Sequence, residues 1–487
     1  MRFSLKQLGS IAMAMLVYAA QESSAEDMAV TEEHPEVLKQ IDVAPVWSVH
    51  RTGTPYLLTR DGRQYVAYYD ADRFLTLAQR TLGSENWTFR RFPVQVGWQT
   101  GGHARLTLAL DRDGYVHLNC YRRGLLQAPP RPPAAIYYRS LEPHSIEAFE
   151  RLYMISEREH PHYPTFYRAD DTVFFAYRSG GSGRGDQWVN RYNTEERTWE
   201  RAFDTPLLDG RRRMNAYVHG PGGPVVGPDG RWHLLWLWRN TPCHSTNHSL
   251  SYARTVGREL TQWESADGTS VSPPFSIDNR ELLVADLPPG RGLSNVLHTL
   301  NWDSMNRAVI SFHAFDDAGK SQIYNARFED GEWLIVPATR WSYVWGDDYR
   351  GTGALGISSH VRMSRVQPVD DGTLTQSVWN RDIGQEHLLI DEDTLQFIRR
   401  TEPPSQPDWR RAMLRPESDF PVAAIPRLRR SGGAMQVMLI SDTDGRDLDG
   451  VQYLLRWEHA GTNNDRPVPK PWPEPTILRV YKIRAVE

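Results

Sequence analysis

The chain has very little cysteine: Cys120 and Cys243 are the only two in 487 residues. They fall in different repeats, so a disulfide framework is not expected, even though an oxidising compartment would permit one. Long apolar runs are also missing. Beyond the N-terminus no segment approaches the roughly 18 apolar residues of a membrane span, so the mature chain is expected to be soluble with no membrane partner. Charge of one sign is not in excess. The formal net charge is −4, which gives no global field to attract nucleic acid. Helical periodicity is scarce. Its best example is residues 142–153, EPHSIEAFERLY, which would sit on a loop between strands. No paired carboxylates stand at obvious positions, which argues against a two-carboxylate hydrolase.

What is present is repetition. Seven times, a polar turn rich in Asp and Gly leads into an alternating apolar strand, a second strand, and a strand bearing Trp or Phe. The copies begin near Asp61-Gly62, Asp111-Arg112-Asp113-Gly114, Ala169-Asp170-Asp171, Gly227-Pro228-Asp229-Gly230, Asp303-Ser304-Met305-Asn306, Asp370-Asp371-Gly372 and Ser431-Gly432-Gly433. Units of about four strands recurring every 50 to 80 residues predict an all-β fold, a β-propeller. Length alone suggests three domains, but blades cannot bury their faces singly. The expectation is one seven-bladed propeller over residues 26–487. The 17 Trp, 21 Tyr and 15 Phe suit packing between blades and, secondarily, stacking on sugars.

Residues 1–25 read as a secretory signal: Arg2 and Lys6, then a short apolar run, then Ser23-Ser24-Ala25 as a cleavage site. The expected location is secreted or periplasmic. The segments IDVAPVWSVH and PEPTILRVYKIRAV both alternate as strands, and pairing the two chain ends in one blade would remove an exposed edge.

Residues able to do chemistry are densest between Trp98 and Arg254. His103 follows two glycines at a strand entry. Tyr163 precedes Pro164 in an extended setting. Arg178 ends a strand before a glycine-rich loop. Asn215, Tyr217 and His219 follow in the next repeat. Cys243 and His248, with His233 or His298 (or His313) from neighbouring strands, could hold one structural zinc, because Cys and His suit that ion. No organic cofactor is expected.

These strings resemble the BNR-repeat propeller family that includes ulvan lyases: VWSVHRTGTPYLLT, DRDGYVHL, YPTFYR with FFAYRSGGSGRG, MNAY, GPDGRWHLLWLWR and TNHSLSYAR. The resemblance covers about residues 45–345. It implies a seven-bladed propeller and, in most members, β-elimination at the uronate of a rhamnose-α-1,4-glucuronate bond. Carried over residue by residue, the resemblance makes His103, Tyr163, Arg178 and Tyr217 catalytic, with Arg178 on the carboxylate. Asn215 and His50 would contact substrate. One departure stands out: where the lyases carry a second histidine, this chain has NCYRR, so either Arg123 (or Arg122) anchors a carboxylate or sulfate, or that role is lost. The same family contains an α-L-rhamnosidase whose hydrolytic histidine matches His50, on the opposite propeller face. The readings are therefore a polysaccharide lyase on ulvan or gum-type glycans, a rhamnosidase using His50, or a carbohydrate-binding propeller without catalysis. The implied partner is an acidic polysaccharide, and the protein is expected to be a monomer.

Overall fold

The computed structural model describes residues 37–98, 105–120, 136–155, 161–218, 223–345, 360–369, 372–402, 408–425, 433–442, 450–463 and 465–484. It is an all-β propeller, with the described strands in seven antiparallel sheets. In chain order the sheets start on the strands Tyr56–Arg60, Leu106–Leu110, Pro161–Ala169, Asn215–Val218, His298–Trp302, Val361–Met363 and Gln436–Ser441.

The recurrent Asp has a physical task. In the tight turns, one carboxylate oxygen accepts the backbone N–H groups two and four residues on. Asp111 does so for Asp113 and Tyr115 at 3.0 and 2.8 Å. Asp303 does so for Met305 and Arg307 at 3.0 and 2.8 Å. The carboxylate stands in for missing ladder bonds and fixes the hairpin. Five turns fall where the repeat places them, and in the sixth Asp370 and Asp371 lie outside the described residues. The seventh does not: Gly433 precedes the strand Gln436–Ser441, whose antiparallel partner is Val451–His459. The helical reading of 142–153 also fails, because Phe149–Leu152 is a strand paired to Ile136–Ser140. A row of free ladder groups outweighs weak local periodicity there.

Successive sheets share apolar clusters. Leu58 and Tyr65 meet Leu106 and Val116. Tyr137 meets Phe166 and Trp199. Val189 meets Trp236 and Trp238, and Tyr252 meets Leu300 and Phe312. Between the sixth and seventh sheets, the helix Asp408–Met413 sets Met413 on Leu454 and Tyr481. The chain ends pair as expected: Val37–Val46 lies beside Thr476–Arg484, with Ile41 opposite Val480. Both cysteines are free, Cys120 being buried and Cys243 half-buried. Among the described residues no helix is long and apolar enough to cross a membrane.

The first strands of the sheets run side by side. Phe166 N–H, just past the middle of one of them, reaches Thr107 Oγ1 near the start of another at 3.0 Å. Thr59 N–H reaches Asp442 Oδ1 at 3.0 Å near the ends of two others. The starts of these strands therefore gather at one end of the propeller, joined by the turns that follow each second strand.

Candidate active site

Four of the sequence candidates meet at that end, between the third and fourth sheets. Tyr163 lies at a bulge in Pro161–Ala169, where the register slips between His162 and Thr165. Its φ is +53°, a rare conformation for a bulky residue, and one held only where the surroundings enforce it. Arg178 sits on the neighbouring strand Thr172–Gly181, opposite His162 and Gln187. Its side chain is buried. The Arg178 guanidinium carbon lies 5.1 Å from the Tyr163 ring centre and 5.5 Å from that of Tyr217.

The glycine-rich turn brings the two sheets together. Gly183 has φ +76°, and a side chain there would meet the Thr241 backbone at 2.5 Å. Its N–H bonds the Asn215 side-chain oxygen, which makes Asn215 a buried brace of the turn. Ser182, on the same turn, shares a 2.9 Å hydrogen bond with the Tyr217 hydroxyl.

Arg239 is the residue that sequence reasoning missed. It ends Trp232–Arg239, a strand buried at all eight positions, and is itself 1 % exposed. Its Nη1 donates to the Tyr217 hydroxyl at 2.9 Å. Nε donates to Asn247 at 2.9 Å and Nη2 to Asn295 at 3.1 Å. The available signal was an arginine closing the otherwise apolar run WHLLWLWR. Among the described residues neither Arg178 nor Arg239 makes an ion pair with a carboxylate. Burial alone would push the Tyr217 phenol up. The Arg239 and Arg178 charges and the hydrogen bonds outweigh it, so the phenol lies below its ordinary value. Burial lowers Arg239. Two buried guanidiniums around one phenol, with no acid beside them among the described residues, are chemically suited to an anionic group.

His50 is placed elsewhere at the same end, not on the opposite face. Val37–Val46 runs antiparallel to Thr476–Arg484, so residues after Val46 emerge where the first strands begin. An isolated bridge from Val46 to Asp70 ties this corner to the first sheet. His50 is completely buried. Its Nδ1 accepts the Trp47 indole N–H at 3.0 Å. Trp47, Trp98 and Trp472 form a box beside it, with ring centres 5.5 to 6.0 Å apart, and the Arg73 guanidinium lies over two of them. His103 and Arg123 lie outside the described residues, as does His219.

The zinc candidates are not gathered. His233 pairs opposite Arg254, whereas His248 pairs opposite Trp238 at the other end of the same two strands. Both His233 nitrogens are engaged, by Tyr252 at 2.6 Å and Asp229 at 3.1 Å. Both His248 nitrogens are engaged by Ser249 and Asn240. Cys243 Sγ contacts Ser245 Oγ at 3.0 Å. His298 Nδ1 lies 3.3 Å from the Ser294 carbonyl. Among the described residues no group of three His, Cys, Asp or Glu side chains could hold a metal ion.

No curated protein matches the chain. Among solved structures it is similar to polysaccharide lyase Uly1, at 13 % identity and a TM-score of 0.56, over 93 % of this chain and 100 % of that one. It is also similar to a family 25 polysaccharide lyase described as an ulvan lyase, at 15 % identity and a TM-score of 0.49, over 87 % and 93 %. At these identities the likeness is one of fold. The model of the BNR repeat-containing family matches residues 63–341, more than half of the sequence, and the chain belongs to that family.

Proposed function

We propose that the protein is a polysaccharide lyase that cleaves rhamnose-α-1,4-uronate bonds by β-elimination. The observation that carries this reading is Arg178: a buried guanidinium without a carboxylate among the described residues, in contact with two tyrosines. Elimination demands that set. The C5 proton becomes acidic only when the adjacent carboxylate is neutralised, which suits Arg178. A base takes that proton, the C5–H electrons form the C4–C5 double bond, and the C4–O4 bond breaks. An acid gives its proton to O4. His103 and Tyr163 are the candidate base and Tyr163 the candidate acid. The ulvan or gum-type substrate follows from the motif resemblance, and Arg123 as a second anchor follows from the departure at NCYRR. We also read the seven sheets as seven blades of one ring, and the N-terminus as a secretory signal. Supporting the ring are the shared apolar clusters and the pairing of the two chain ends.

The assay is ultraviolet absorbance of the unsaturated uronate, on ulvan and on rhamnose-capped glucuronans. Tyr163→Phe, Arg178→Ala and His103→Ala are each expected to lose about 10²-fold or more in turnover while folding normally. Near wild-type rates in any two of them would overturn the assignment.

A second reading is hydrolysis at His50. It is favoured by the three-tryptophan box, a common form of sugar platform, and by the Trp47 N–H, which leaves the histidine proton on Nε2. Complete burial of His50 ranks it second. If His50→Ala abolishes release of reducing sugar while Arg178→Ala spares it, hydrolysis is the activity.

A further inference from the structure

Arg239 costs the fold a buried cation and, among the described residues, gains no acid. Its three nitrogens are all spent on neutral oxygens, and one of these is the hydroxyl of Tyr217. Asn247 and Asn295 hold the other two, so the guanidinium cannot turn away from the phenol. Asn247 is the cross-strand partner of Arg239, and its own Nδ2 bonds the Leu293 carbonyl at 3.1 Å. The clamp is thus fixed from the paired strand, through Asn247, and from the loop carrying Leu293 and Asn295. Ser182 adds a hydrogen bond and Arg178 a second positive charge from the other sheet. The other ionisable group near Arg239 is Cys243. An oxygen that accepts hydrogen bonds from cationic donors is stabilised as an anion.

We propose that Arg239 is a positioning residue that holds the Tyr217 oxygen as a proton acceptor, so that Tyr217 takes the C5 proton in the elimination. This rests on the lyase reading and, within it, puts Tyr217 in place of His103 or Tyr163 as the base, with Tyr163 kept as the acid. It divides the labour around Arg178: the carboxylate sits on Arg178, Tyr217 accepts the proton on one side, and Tyr163 gives a proton to O4 on the other. The proton leaving C5 ends on the Tyr217 oxygen and is returned to solvent after product release. No co-reactant is needed.

The pattern of the other tyrosines makes the test readable. Among described tyrosines with a directed shift, Tyr217 alone is drawn down, while Tyr65, Tyr137, Tyr167 and Tyr252, for example, are pushed up by burial. Phenolate absorbance is therefore titrated in the ligand-free protein. The lowest-titrating tyrosine should be absent in Tyr217→Phe. In Arg239→Gln it should move up by about one pH unit or more, and Arg239→Lys should return it most of the way. If Arg239→Gln does not fold, Asn295→Ala, which releases one arm of the clamp, should move it the same way by less. An unchanged titration in the folded variants overturns the clamp. With substrate, Tyr217→Phe should lower kcat by about 10²-fold with little change in KM, and Arg239→Gln should carry the alkaline shift into the pH profile of kcat. A wild-type kcat in Tyr217→Phe overturns the base assignment and leaves the lyase reading standing. Absence of unsaturated product from the wild type overturns the lyase reading, whatever the titration shows.

Discussion

Two pairs of buried arginines in this propeller solve the same problem in opposite ways. Arg327 and Arg456 are 1 % and 2 % exposed. Arg327 meets Asp303 at 3.2 Å and Glu329 at 2.5 Å, and also donates to the Glu392 and Asp393 carbonyls. Arg456 meets Glu458 at 3.1 Å and donates to the Met413 and Arg415 carbonyls. Arg178 and Arg239 are also buried, at 7 % and 1 % exposed, yet their described neighbours are phenols, hydroxyls and amides. A charge taken out of water is costly unless it is balanced. The balanced pair fastens strands to loops. On the lyase reading, the unbalanced pair awaits the carboxylate of the substrate. Burial alone does not separate structural arginines from functional ones; the partners do.

The comparison breaks most visibly in stability. Arg327→Met leaves Asp303 with only the partly exposed Arg307 as ion partner and is expected to cost about 3 kcal/mol. Arg178→Met strands no carboxylate and removes an unbalanced charge, so the fold should be as stable as before or more so, with activity lost. Urea unfolding of the two variants in parallel checks this. A loss for Arg178→Met matching that for Arg327→Met would erase the distinction.

Buried histidines offer a third solution, which is to stay neutral. His313 is fully buried, its Nδ1 bonded to the Gly292 carbonyl at 2.6 Å, and burial pulls its pKa down from 6.5 to about 4. Its folded value lies below the unfolded one. Its contribution is therefore complete above about pH 6.5 and is lost as the pH falls toward about 4, because the unfolded chain binds the proton first. The loss is on the order of 3 kcal/mol. His459, held at about 3 by burial and the Arg51 charge, acts in the same direction. Unfolding free energy measured from pH 7 to pH 4 should fall, and His313→Phe should flatten the slope.

The fold was legible because each repeat carries its own turn chemistry. An Asp two and four residues ahead of free N–H groups is a local device, and local devices show in a sequence. Closure by Val37–Val46 was legible for a similar reason, since both end segments alternate. The seventh turn was misplaced because Ser431-Gly432-Gly433 has turn composition and lies outside the hairpin. In the site, Tyr163, Arg178, Asn215 and Tyr217 could be named because the family strings mark them. Arg239 could not, because its role depends on Asn247 across the strand pair and on Asn295 from a distant loop. The zinc set failed for the converse reason. Cys243 and His248 are near in sequence, but strand register sends His233 to the far end, and Tyr252, Asp229, Ser249 and Asn240 already hold the histidine nitrogens. His50 was expected on the opposite face, although strand direction alone brings it out at the same end.

The smallest effect sharpens the comparison furthest, because it asks the unbalanced arginines directly what they await. Free glucuronate carries the carboxylate and lacks the bond to be broken. If Arg178 lacks a counter-ion, glucuronate should bind the folded chain and not the unfolded one. At ten times its Kd that stabilises by about 1.4 kcal/mol, read as a rise in Tm. Glucose, the same ring without the charge, should give no rise. Arg178→Met should abolish the glucuronate effect, whereas Asp303→Asn, which loosens the balanced pair, should lower the starting Tm and keep the increment. Added sodium chloride should weaken the increment only modestly, since a buried pair is poorly screened. A glucuronate effect that survives in Arg178→Met would mean that the carboxylate binds elsewhere, with the Arg51 and Arg73 corner beside His50 the first place to look. Loss of the effect in that variant alone would tie the empty charge at Arg178 to the acidic sugar.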